Sequence, residues 1–510
     1  MSGLNERKYI RISALLVPLA IWLLLPVTTG ASEWTDKVDP RVLAGLDQER
    51  QVEFLVFMED QADVSDAAGF ATKVERGRYV FERLTAAAER SQAPLLAEMS
   101  ARGLEHRSYW VANMIWVRGD LAAVAALAAR DDVDRIYGNP SVRRVPLLEE
   151  TAATDAPQGI EQSLTHVGAP DFWAAGFTGQ GTVIAGADTG YHWEHPALKD
   201  QYRGWDGATA DHNYNWHDAI HVPGGACGAD SPEPCADGNH GTHTMGTMVG
   251  DDGAGNQIGM APGARWIGCR NMDGGFGSHV TYSECFQFFI APTDLNDENP
   301  LPEMAPDVVN GSWSCPPSPV EDCDDPNVMQ AVVENVRAAG IVISHSAANT
   351  GSGCSTIDTP AAIYEASFTV GSTDNADNIS GFSSRGPVTV DGSNRRKPDI
   401  VAPGENIRSS VPPSGYSSFS GTSMSAPHVS GLVALLVSAG GHLSGNPEAI
   451  EQHIIATAVP RTTTQGCGGD SPTDVPNNTY GFGAIRAVIP AIFQDGFESG
   501  DTTAWSLTIP

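Results

Sequence analysis

The period of apolar and polar positions changes along the chain. Val52-Glu-Phe-Leu-Val-Phe57 reads as a strand, and residues from about 71 to 101, rich in Ala, Arg and Glu, carry apolar side chains at helical spacing. A strand over Val111–Arg118, a helix over Asp120–Arg130 and a strand over Val133–Tyr137 follow. Short strands around two helices predict a small ferredoxin-like α/β sandwich. From about Pro146 to Gly159 the periodicity is lost among Glu, Thr, Ala and Pro, as in a linker. Beyond Gln180, short apolar runs ending in small or polar residues alternate with helical patterns: Thr182–Ala187, Asp307–Asn310, Val328–Ala339 and Gly340–Ser344. Buried strands alternating with helices predict an α/β fold, a doubly wound parallel sheet with helices on both faces. Reactive groups in such sheets gather at the carboxyl ends of strands, where this chain places its polar punctuation.

The N-terminus suggests a compartment. Arg7, Lys8 and Arg11 precede an apolar run from about Ile12 to Val27 and the small residues Thr29-Gly30-Ala31, the layout of a secretory signal cut after Ala31. The run is short for a bilayer and is broken by Pro18 and Pro26; an uncleaved anchor is the alternative. All eight cysteines lie from Cys227 onward, and an even number in an exported chain favours disulfides. Near neighbours in Pro-rich loops pair locally, Cys227 with Cys235 and Cys315 with Cys323. Cys269 with Cys285 and Cys354 with Cys467 then remain by elimination. Zinc is the rival reading, but no C-x-x-C occurs. With 30 Lys plus Arg against 62 Asp plus Glu, the net charge is −32. That argues against a nucleic-acid binder and against anionic membrane surfaces, and it suits a soluble protein that attracts cationic substrates.

Three segments carry chemistry. Asp188 ends the run VIAGAD before Thr189-Gly190; a carboxylate at the tip of a buried strand is desolvated and aimed at one partner, although a turn Asp before Gly is the commoner case. His240, in DGNHGTHTMG, stands where a helix pattern opens, with His243 on the next turn. A metal reading of His-x-x-His lacks the glutamate of H-E-x-x-H. Ser423, in FSGTSMSAPHVSGLVALL, sits at the start of a small-residue helix, where free N–H groups and the dipole favour developing negative charge. Alone it would be a cap. Together the three supply what a serine nucleophile requires, an imidazole to take its proton and a carboxylate to orient that imidazole.

On these residues the chain resembles the subtilisin-like serine proteases, the subtilases. Asp188 in D-T-G matches the orienting aspartate, with His195-Pro196 following; His240 in H-G-T-H matches the general base, and Ser423 in G-T-S-M-S-A-P-H the nucleophile. Ser346-Ala-Ala-Asn349-Thr-Gly351 resembles the segment whose Asn donates to the oxyanion, which implies that role for Asn349, with Ala348 in place of the usual Gly. Gly259-Met-Ala-Pro262, Phe382–Pro387 and Lys397–Gly404 extend the likeness over roughly residues 160–490. The Cys-rich insertions and the Asp171-Phe-Trp173 region are similar to a bacillopeptidase F-like branch.

The resemblance implies further assignments. Ser312, Trp313 and Ser314 would lie along bound peptide, with Gly275 of Gly274-Gly-Phe-Gly277 on the facing edge, so that substrate adds as a strand. Asp358 falls near the base of the pocket for the residue before the scissile bond, and a buried carboxylate there would prefer Lys or Arg; a surface turn Asp is the alternative. The domains expected are a signal peptide (1–31), a propeptide that inhibits and templates folding (32–150, released near 145–158), a peptidase domain (151–490) and an acidic tail (491–510). The chain is expected to be a monomeric, secreted or cell-surface endopeptidase acting on protein or peptide substrates, with its own propeptide as inhibitor and no membrane span after signal removal. No cofactor is required for the chemistry; structural calcium is compatible with Asp251-Asp252, and no metal ligands are named. An α/β-hydrolase esterase would want G-x-S-x-G with the histidine last, and neither occurs. An inactive, protease-like binding protein is the rival outside enzymology.

Overall fold

A computed structural model describes residues 34–143, 159–222, 224–314 and 325–490. The expected signal, linker, cleavage region and acidic tail, and the Cys315/Cys323 pair, lie outside them.

The N-terminal unit follows a β-α-β-β-α-β path: β1 (Val52–Met58), α1 (Lys73–Arg102), β2 (Glu105–Tyr109), β3 (Met114–Gly119), α2 (Leu121–Ala128) and β4 (Val133–Gly138). The four strands form an antiparallel sheet in the order β2-β3-β1-β4, the split arrangement the sequence pattern predicts. A capping box starts α1, with Thr72 accepting from the Glu75 backbone N–H, and Gly103 ends it in the left-handed conformation at φ 68°. Strand β2 was not expected, and the strand expected from Val111 begins instead at Met114, because Trp110–Asn113 is the hairpin turn, with Asn113 at φ 42°.

A two-residue strand, β5 (Val142–Arg143), leaves this unit and pairs with the larger one. There, β6 (Val183–Asp188), β7 (Trp216–Asp218), α3 (His240–Val249), β8 (Arg265–Arg270), β9 (Phe276–Gly277), α4 (His279–Ile290), β10 (Val308–Gly311), α5 (Gln330–Ala338), β11 (Val342–Ser346), β12 (Phe368–Thr373), β13 (Ile400–Pro403) and α6 (Thr422–Ala439) follow in chain order. Seven strands form a parallel sheet in the order β13-β12-β11-β10-β6-β8-β7. This is the α/β fold the sequence predicts.

Side chains alternate between the two faces. Ile184, Val308, Val342, Val370 and Ile400 pack with Leu432 and Leu435 of α6, whereas Ala185, Val309 and Ile343 pack with Phe286 of α4 and Val332 and Val333 of α5. Helix α6 is long and apolar enough to cross a membrane but is buried against β10–β13 and α3. The second cluster continues into Leu55, Phe57, Met114 and Trp116, so the N-terminal sheet shares one apolar core with α4 and α5. Polar contacts fix that docking: Lys73 Nζ lies 2.9 Å from Asp307 Oδ1, Tyr109 Oη donates to Glu284 Oε2 at 2.6 Å, and Asn335 Nδ2 donates to the Val111 carbonyl at 2.7 Å.

Candidate active site

Asp188 closes β6 at the carboxyl edge of the sheet and is 1% exposed; His240 opens α3 and is 2% exposed. Their side chains meet, with His240 Nδ1 2.7 Å from Asp188 Oδ1 and 2.9 Å from Oδ2. The Thr189 backbone N–H at 2.7 Å and the Thr244 hydroxyl at 3.4 Å also donate to the carboxylate. Close approach of α3 to the strand end depends on glycine, since a β-carbon at Gly241 would lie 2.2 Å from the Gly190 carbonyl oxygen. His243, on the next turn, is not a metal partner of His240. It is buried, bonded through Nε2 to the Ile407 and Ser417 carbonyls, and held neutral, its pKa lowered to about 3 by burial and by His240.

Ser423 is the second residue of α6, where a backbone N–H has no helical carbonyl to bond. Its hydroxyl donates to the Ser312 carbonyl at 3.2 Å, and the Ser312 hydroxyl donates to the Ser423 carbonyl at 3.1 Å. Asn349 follows β11. Its Oδ1 accepts from the Thr422 backbone N–H at 2.8 Å and the Thr422 hydroxyl at 2.9 Å. Two donors on the oxygen fix the amide's orientation and leave Nδ2 as the donating end. Ala348 stands in the left-handed region at φ 73°, the conformation that the expected glycine would favour.

The other expected substrate contacts are gathered only in part. Ser312, Trp313 and Ser314 continue β10 and are all buried. Gly275 lies in the turn from Asp273 to Phe276 at φ 87°, just before β9. Strand β9 pairs antiparallel with β5, Phe276 opposite Arg143 and Gly277 opposite Val142. Asp358 sits half-buried in the loop between β11 and β12. Asp251 and Asp252, the pair compatible with calcium, hold their carboxylates in hydrogen bonds, Asp251 Oδ1 accepting from the Gly253 backbone N–H at 2.9 Å. Asp252 accepts from Ala254 N, Asn256 N, Asn256 Nδ2 and the Tyr416 hydroxyl. Among the described residues no group of three or more His, Cys, Asp or Glu forms a metal site.

Three of the expected disulfides are present: Cys227–Cys235, Cys269–Cys285 and Cys354–Cys467.

The subtilase family profile matches residues 179–483. The chain belongs to the subtilase family. Subtilases are serine-type endopeptidases that need no cofactor for catalysis. This subtilase is 33% identical to bacillopeptidase F of Bacillus subtilis (strain 168) over 93% of its own length, but spans only 34% of that relative. It is 30% identical to the major intracellular serine protease of the same organism, over 69% of this chain and 95% of that one. With subtilisin E it shares 28% identity over 62% of this chain and 70% of the relative.

Sequence reading missed two groups in this subtilase. His345 is fully buried in β11 against Trp313. Glu284, on α4, accepts from His217 Nε2 at 2.8 Å and His221 Nε2 at 2.7 Å as well as from Tyr109. Burial lowers the His217 pKa, but hydrogen bonds to Asp297 and Glu284 outweigh it and raise the value to about 10. The available signal was a polar residue inside an apolar strand or helix.

Proposed function

We propose that the chain is a secreted serine endopeptidase, made as a self-processing zymogen, that hydrolyses peptide bonds of proteins through an acyl-enzyme. The observation that carries this reading is the buried hydrogen bond from His240 Nδ1 to Asp188; Ser423, at a helix N-terminus, is the serine assigned to it. Asp188 fixes the imidazole tautomer so that Nε2 serves as base. Ser423, turned about its Cα–Cβ bond from the Ser312 carbonyl toward that nitrogen, gives up its proton and attacks the substrate carbonyl. His240 then returns the proton to the leaving amine, and water repeats the sequence on the ester. Asn349 Nδ2 and the Ser423 backbone N–H bind the oxyanion; losing one such donor costs roughly 2.7–4 kcal/mol of transition-state stabilisation, a range measured on subtilisin itself.

Residues 32–150 are the propeptide, and 151–490 the peptidase domain. The pairing of β5 with β9 supports strand addition as the substrate-binding mode, since the chain leading toward 145–158 already occupies that edge. Ser312, Trp313, Ser314, Gly275 and Asp358 are assigned to substrate contact. Structural calcium, if bound, would take ligands other than the engaged Asp252 oxygens.

Labelling of the exported protein with a serine-directed fluorophosphonate tests the reading. Incorporation at Ser423, lost in Ser423→Ala, is expected. A folded protein that incorporates none is an inactive binding protein instead.

A further inference from the structure

Three strand ends stand abreast at the carboxyl edge of the sheet. Asp188 of β6, Arg270 of β8 and Asp218 of β7 pair in register, so their side chains share one face. The Arg270 side chain is fully buried, and a β-carbon at Gly190 would lie 3.3 Å from its Cδ. Its Nε and Nη2 donate to the two oxygens of Asp218, each at 2.8 Å. Nη1 donates to Asp237 Oδ2, and Nη2 also donates to the Gly228 carbonyl.

Asp237 connects this guanidinium to both members of the Asp188–His240 pair. Its backbone N–H donates to the Thr189 carbonyl at 2.9 Å, and the Tyr191 N–H donates to the Cys235 carbonyl at 3.1 Å. With the antiparallel bridge between Gly190 and Ala236, residues 235–237 run alongside the segment that leaves Asp188. Three residues further on, the same chain reaches His240 at the start of α3. The Asp237 carboxylate completes the link. Its Oδ1 accepts from the Ala226 and Cys227 backbone N–H groups at 3.0 and 2.9 Å, inside the loop that the Cys227–Cys235 disulfide closes. On the other side, the Asn271 N–H, next to Arg270, donates to the Asp188 carbonyl at 3.0 Å. One buried cation therefore bridges the strand that adjoins Asp188 and the loop that delivers His240.

Stability alone does not require this arrangement. Burying a guanidinium with two carboxylates carries a desolvation cost that apolar side chains of similar volume avoid. What the ions add is direction, since the planar guanidinium fork meets carboxylates only at set angles. We propose that Arg270, acting through Asp237, is a positioning residue that sets the approach of His240 to Asp188 without touching substrate. This rests on the serine-protease reading of the site.

Kinetics and proton NMR test the proposal together. Asp237→Asn keeps the shape of the side chain and removes the charge that faces Arg270; Arg270→Met removes the cation. Each lowers kcat by roughly ten- to a hundredfold with KM within about threefold, because a displacement of about 1 Å in the base is enough. Active-site concentration is set by fluorophosphonate titration. Arg270→Lys, which keeps the charge but not the fork, restores part of the loss. In Ser423→Ala protein the His240 Nδ1 proton, shared with Asp188, gives a far-downfield resonance, and adding Asp237→Asn moves it upfield or broadens it into exchange with water. Arg337→Met is the control. It breaks the ion pair with Glu451 at the opposite, amino edge of the sheet, where α5 ends before β11, and lowers the melting temperature with kcat unchanged.

A folded Asp237→Asn protein with wild-type kcat, or with the resonance unmoved, overturns the proposal. So does a rise in KM alone, which would assign the ion network to substrate binding. Where Arg270→Met does not fold, Asp237→Asn decides. A wild type that takes no fluorophosphonate defeats the protease reading, while the resonance in Ser423→Ala protein still tests whether Asp237 holds His240 against Asp188.

Discussion

Asp188 and His240 stand 52 residues apart in sequence, at the end of a strand and the start of a helix, yet both carboxylate oxygens lie within 2.9 Å of the same imidazole nitrogen. The contact is buried, so Asp188 sets the ring's tautomer without competition from water. Asp188→Asn, which keeps the shape but removes the charge, is expected to lower kcat by about 10⁴. Steady-state kinetics against a circular-dichroism check of folding measure this; a loss under tenfold in a folded variant would contradict the role.

The buried histidines give stability a defined pH dependence. His243, His345 and His428 have pKa values lowered to about 3, 4 and 4, each chiefly by burial, against 6.5 when exposed. A depressed folded-state pKa contributes stability that is present above pH 6.5 and is lost as pH falls toward 4, where the unfolded chain takes up the protons first. His217 has the opposite sign. Its pKa, raised to about 10, contributes below pH 6.5 and is lost as pH rises toward 10. Melting temperatures of Ser423→Ala protein should therefore fall on both sides of neutrality. His217→Gln should flatten the alkaline limb and leave the acid limb in place.

Ala348 holds a left-handed conformation at φ 73° without being glycine. An L-residue there costs roughly 1–2 kcal/mol, partly offset by the greater freedom glycine has when unfolded. Ala348→Gly is expected to raise stability by about 0.5 kcal/mol, read as a higher denaturant midpoint at unchanged slope. A lower midpoint would mean that the alanine methyl packs usefully.

Tyr109 reaches across from the N-terminal unit to Glu284, which two histidines already hold. Tyr109→Phe leaves Glu284 short of one buried donor and should weaken retention of the cleaved N-terminal unit by roughly tenfold. The measurement is the lag before casein hydrolysis by freshly exported protein, which should shorten in the variant.

Much of the fold was legible because its signals are local. Near-continuous apolar runs such as Val183–Asp188 mark strands covered on both faces, and Asp188, His240 and Ser423 each stand in an uninterrupted string at an element end. Strand Glu105–Tyr109 was hidden because it lies at the sheet edge, where only Tyr109 is buried and no alternation is enforced. His345 and Glu284 escaped notice because their partners are distant in sequence and meet them only once the sheet and the docked N-terminal unit are assembled.

The most direct measurement is mass spectrometry of wild-type and Ser423→Ala protein after export, read beside casein hydrolysis. The account predicts that the wild type is cut within about residues 145–158 and digests casein, while the mutant keeps its N-terminal unit attached and is inert. If both mature identically and neither digests casein, Ser423 is not the nucleophile of a self-processing protease.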